Sequence, residues 1–217
     1  MSSQARQLQW IAAIGGAVVM VVGIAVFGWP TFTVLALYWV ENVIIGGFTA
    51  LRILAAGART GSYGESLAST VFFCLHYGLF CAVHGIFVAT LFGGIDGSGG
   101  FVDPLFLMIG RIAGERVGLL VVAAMVLAAA VDAWQAAAGL DADDAGAVRR
   151  IMTDPYGRIV VLHLVLIGGG FLMAALNLPS AAALLLVAFK LAYDLRLLLR
   201  RPGPGPLPGS VDGGGRR

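Results

Sequence analysis

The sequence predicts an all-α fold, a polytopic membrane bundle of six transmembrane helices. Three observations carry that expectation. Only 12% of the 217 residues are charged and 59% are hydrophobic, whereas a soluble domain carries about a quarter charged residues. The chain therefore cannot cover a water-facing surface. Six stretches, near 8–28, 32–56, 68–92, 117–138, 158–177 and 180–200, are long enough for a bilayer core that takes roughly 20 apolar residues to cross. These runs are continuous, whereas a membrane β-barrel alternates apolar and polar residues over about ten positions.

Each element follows from its own residues. The first run ends in Phe27-Gly28-Trp29-Pro30, an interfacial turn. It lacks a strong basic start and exceeds a signal-peptide core in length, so it reads as a mature helix. The third run carries Cys74 and Cys81, about 10 Å apart along a helix and too far for a disulfide within it. After it comes a Gly-rich, mildly acidic loop. Asp103-Pro104 then supplies a cap and a first helical position for a short helix in the outer interface. GLDADDAGAVRRIMTDPYGR, between the fourth and fifth runs, holds a short cytoplasmic helix, acidic at its start and basic at its end, as the helix dipole favours. Residues 1–201 form a single transmembrane domain. The Pro/Gly-rich tail 202–217 has too little apolar content to order.

Lys and Arg set the orientation. Arg6, Arg52, Arg59, Arg149, Arg150, Arg158 and the cluster from Arg196 to Arg201 fall on one side, which places both termini in the cytoplasm. The formal charge of +2 reflects that bias. No basic stripe with interleaved aromatics argues for nucleic acid, so the expected partners are membrane lipids and other copies of the chain.

Ionisable residues inside spanning helices are expensive and mark function by default. Here they are Glu41, His76, His84, Asp132, His163, Lys190 and Asp194, contributed by five of the six runs. With each run's midpoint at the bilayer centre and a rise of about 1.5 Å per residue, His76, Asp132, His163 and Asp194 form an inner group. Glu41 lies near the midplane, and His84 about 12 Å further out than His76. Two imidazoles with carboxylates from different helices suit zinc, iron or manganese. The expected metal ligands are His76, His163, Asp194 and Glu41, with His84, Asn42, Tyr38, Asp132 and Lys190 as supporting or pathway groups. Two histidines on different helices could also hold a haem iron, although the carboxylates favour a hard ion.

Three functions compete on these residues. A metal-dependent hydrolase would act on a lipidic or membrane-borne substrate, with Glu41 as general base. A proton or metal-ion transporter would use the same residues as a path. In a structural protein they would only hold helices together, as a Lys190–Asp194 pair one turn apart can do.

YWVENVIIGGFTALRIL, FFCLHYGLFCAVHGIF, DPYGRIVVLHLVLIGGG and KLAYDLRLL resemble an uncharacterised family of bacterial multi-pass membrane proteins, over roughly residues 30–200. The resemblance implies the fold, the bacterial cytoplasmic membrane and no established activity. It adds weight to Tyr38, Glu41, Asn42, His76, His84, His163 and Asp194 as a site. Where that family's last pattern often continues to another histidine, this chain has Leu198.

Overall fold

The computed structural model describes residues 18, 22–24, 26, 28–140, 144, 146–176, 188–189, 191–192 and 196. Among these no strand occurs. The helices are α1 (Thr31–Thr60), α2 (Tyr63–Phe87), α3 (Asp103–Ala113), α4 (Arg116–Ala138), α5 (Ala147–Thr153) and α6 (Tyr156–Leu176). A π-helical turn, Val88–Phe92, extends α2.

Local chemistry sets the boundaries. Pro30 is extended and starts α1, and Gly61, in the left-handed region at φ 74°, ends it where a side chain would strain the backbone. Pro104 occupies the first turn of α3, where its missing N–H has no helical partner to lose.

Four helical stretches are long and apolar enough to cross a membrane: Thr31–Thr60, Tyr63–Phe92, Arg116–Ala138 and Ala147–Gly169. They answer to the second to fifth predicted runs. The first and sixth, 8–28 and 180–200, lie for the most part outside the described residues, as does the tail 202–217. Two short helices, α3 and α5, lie between the longer ones.

Helix α1 is central, packing against α2, α4 and α5 and touching α3 and α6. Toward its start, Phe32, Leu35 and Trp39 meet Val88, Met108 and Leu162. Toward its end, Ile53 and Ala56 meet Phe73, Tyr77, Val148 and Ile151. Lipid is as apolar as leucine, so helices associate there by close packing rather than by escape from water. Gly85 shows the requirement: a Cβ there would lie 2.6 Å from Trp39 Cε2 and would overlap Leu105 Cδ2. Helix α4 is the opposite case. Gly118 is its only buried residue, and Leu120, Leu127 and Trp134 stand exposed, a face that suits lipid chains and not water.

Candidate functional site

The Tyr-Trp-x-Glu-Asn motif on α1 ties three helices together. Tyr38 is fully buried, and its hydroxyl donates to Arg158 O on α6 at 3.4 Å. Trp39 Nε1 donates to Cys81 O on α2 at 2.7 Å. Tyr77 OH donates to Asn42 O at 3.2 Å, and Asn42 Nδ2 donates back to Tyr38 O at 2.8 Å. The Asn42 Oδ1 atom is buried and accepts no hydrogen bond among the described residues. Glu41 Oε1 accepts from Arg158 Nη1 at 3.1 Å, with the two side chains only 18% and 19% exposed. The carboxylate that the sequence offers as a general base is thus engaged by a guanidinium. Sequence reasoning placed Arg158 among the inner loop charges. Its position in the first turn of α6, just after Asp154-Pro155, was the available signal.

Two imidazole contacts join α2 to α6. His76 Nδ1 and Tyr156 OH share a hydrogen bond of 2.9 Å. Further along, His84 Nε2 and His163 Nδ1 are 2.7 Å apart, and His84 Nδ1 lies 2.7 Å from Phe80 O. A carbonyl oxygen only accepts, so His84 carries its proton on Nδ1 and presents the Nε2 lone pair. In the neutral pair His163 Nδ1–H then donates to that lone pair. The second nitrogen of His163, Nε2, is left as an acceptor. This chain of carbonyl, buried imidazole and outer imidazole follows the logic by which a third group orients a catalytic base. His84 is 4% exposed, whereas His163 is exposed. Ring contacts run without a break along this seam: Phe72 to His76 at 5.3 Å, His76 to Phe80 at 5.2 Å, Phe80 to His84 at 6.0 Å and His84 to His163 at 4.9 Å.

The expected pairing of His76 with His163 is thus replaced by two separate rungs. Depth estimates from run midpoints misplaced α6. Its register is fixed by Tyr156 against His76 and by Arg158 against Glu41. The step from Tyr156 to His163 then matches the step from His76 to His84 on a parallel helix, about 11 Å. His84 therefore works beside His163 and not beside Glu41. Asp132 faces Arg52 at 3.9 Å, at the end of the bundle opposite the histidine pair. Lys190 and Asp194 lie outside the described residues. Among the described residues no three His, Cys, Asp or Glu side chains gather as a metal shell. Cys74 and Cys81 are both thiols.

The histidine pair opens into a groove of about 520 Å³, within the usual range for small-molecule sites. Leu79, Phe80, Phe87 and Leu91 of the extended α2 and Ile167 of α6 form its apolar wall, and among the described residues the two imidazoles are the only polar side chains that line it. The π-helical turn borders it, a local distortion common at functional positions. A smaller space of about 10 Å³, between Arg52, Arg59 and the end of α4, has room for about one water.

A model of a family of unknown function, DUF6498, matches residues 1–205. No curated protein and no solved structure matches the chain.

Proposed function

Since the chain belongs to the DUF6498 family, whose function is unknown, we propose its activity from the site alone: an integral membrane protein that performs acid–base chemistry on a membrane-borne substrate through the His84–His163 pair. The observation that carries this reading is the oriented dyad, with Phe80 O holding His84 and His84 holding His163. His163 Nε2 is the proton acceptor, and His84 is the positioning residue that shares the charge once the proton arrives. A groove whose described lining residues Leu79, Phe87, Leu91 and Ile167 are exposed apolar side chains suits a substrate arriving from lipid better than an ion crossing from one face to the other. Both termini lie in the cytoplasm of a bacterial cell in this reading, and the exposed face of α4 contacts acyl chains or a second copy. Diethyl pyrocarbonate, a small reagent that acylates unprotonated imidazole, tests the assignment by mass spectrometry. His163 reacts, His84 is protected, and His84→Phe slows the reaction at His163. Equal reaction at His84, or an inert His163, would remove the dyad as a base.

A second reading keeps the expected metal. Metal-bound imidazoles pass their other N–H to a carbonyl or carboxylate, as His84 does. Zinc–nitrogen bonds of about 2.0–2.1 Å at a tetrahedral angle need the two nitrogens about 3.3 Å apart, only slightly wider than 2.7 Å. His84 Nε2 and His163 Nδ1 would hold the ion, with Asp194 as the carboxylate, and the ion would supply Lewis acidity. Stoichiometric zinc, iron or manganese in purified protein, lost in both His84→Ala and His163→Ala and kept in His76→Ala, selects this reading. Metal content unaffected by these substitutions removes it.

A further inference from the structure

The groove specifies its ligand more closely than the dyad alone. Three features of the groove narrow the choice. Among the described residues no charged side chain lines it, so a phosphate or ammonium head would find no counter-ion among them and would lose its hydration. His84 stands eight residues before Phe92, the end of the extended α2, about 12 Å along the helix axis. A phospholipid whose head stayed level with Phe92 would present only its tail to the imidazoles. The ligand's polar head must therefore be uncharged and able to enter the hydrocarbon region. Finally, the neutral dyad offers an acceptor at His163 Nε2, so the head must bring a hydroxyl donor. Phe80, stacked on His84, and Phe87 border the same space and favour a flat aromatic ring.

We infer that the groove between α2 and α6 binds a lipid-soluble hydroquinone, with one phenolic hydroxyl donating to His163 Nε2, the ring beside Phe80 and Phe87, and the apolar tail along Leu91 and Ile167. A phenolic hydroxyl, with a pKa near 10, is a far better proton partner for imidazole than an aliphatic alcohol. The inference rests on the dyad proposed above but concerns binding only, with no electron transfer assigned.

Full-length protein with nitrogen-15 histidine, reconstituted in phosphatidylcholine vesicles, tests it. The probe is a decyl-tailed hydroquinone kept reduced with dithionite. The His163 Nε2 resonance shifts on titration and His76 does not; the oxidised quinone, which has no hydroxyl to donate, binds about tenfold more weakly, the loss of one ordinary hydrogen bond, and decanol and palmitate, which lack the acidic phenol and the flat ring, shift His163 less. Ile167→Trp, which fills the groove from an exposed position, abolishes the shift and leaves the His84–His163 coupling in place. That coupling separates two failures. If it is absent, the dyad itself is wrong. If it is present and the hydroquinone causes no shift, or palmitate and decanol shift His163 equally, the hydroquinone inference is overturned and the groove serves lipid chains in general.

Discussion

Glu41 and Arg158 show how one contact redirects a residue's role. From sequence, an acidic group deep in a spanning helix is a candidate base. In the fold it sits beside a guanidinium at 3.1 Å, as one member of an ion pair. Removing one member of a largely buried pair leaves the other uncompensated, which costs about 3–5 kcal/mol in full burial. We expect Glu41→Gln to lower stability by about 3 kcal/mol and Arg158→Gln to do likewise. The double variant should recover part of the loss, since neither charge is then stranded. Thermal unfolding in detergent, read as a double-mutant cycle, checks this; additive losses would mean that the pair does not couple. Tyr38, Glu41, Asn42, His84 and His163 could all be recognised as polar groups inside apolar runs. Their partners could not, because a run's midpoint does not fix where a tilted or extended helix sits in depth. Arg158 went unrecognised for the same reason: it starts α6, yet its side chain reaches inward to Glu41.

Packing at the level of helices depends on a few small residues. Gly85 lets α2 approach Trp39 and Leu105, next to His84 and within reach of the Trp39–Cys81 hydrogen bond. Gly85→Ala should therefore cost about 1–3 kcal/mol through overpacking, and should weaken the His84–His163 contact because α2 must move outward. Retained stability together with an unchanged dyad would contradict the packing described. Helix α5 has a different support. Asp144 accepts from Gly146 N–H at 3.1 Å and from Arg150, and the Arg150 guanidinium holds the Asp144 carboxyl below the usual carboxylate range. A depressed carboxyl stabilises its contact above the unfolded-state pKa of about 3.9, and that support is lost as pH falls through the lower folded value. Amide protection factors across Ala147–Thr153, which allow for the slower intrinsic exchange in acid, should fall on acidification and in Asp144→Asn already at neutral pH. Protection indifferent to both would show that packing on Ile53 and Ala56 holds α5 unaided. The acidic start and basic end of this segment were legible in the sequence. The particular Asp144–Arg150 contact was not, because it spans a turn.

For the whole molecule, composition and run length were enough to predict long apolar helices, and the four stretches from Thr31 to Gly169 that are long and apolar enough to cross a membrane occupy the expected places. Were these four stretches to cross a bilayer in turn, the Gly61–Ser62 turn and residues 139–146 would fall on one side and residues 93–102 on the other. Single cysteines at 95–100 should react with an impermeant reagent on intact cells, and cysteines at 61 or 142 only after permeabilisation. The reverse pattern would invert the bundle. What the sequence left open was the assembly of the histidines, since four rings on two helices admit several pairings and only the relative register of α2 and α6 selects one. The most direct measurement of the central claim is through-hydrogen-bond nitrogen–nitrogen coupling in nitrogen-15-histidine protein held in lipid nanodiscs. The account predicts a coupling between His84 Nε2 and His163 Nδ1, with the His84 proton on Nδ1, lost in His163→Ala and retained in His76→Ala. A His84 ring protonated on Nε2, or no coupling between the two rings in the metal-free protein, would contradict it.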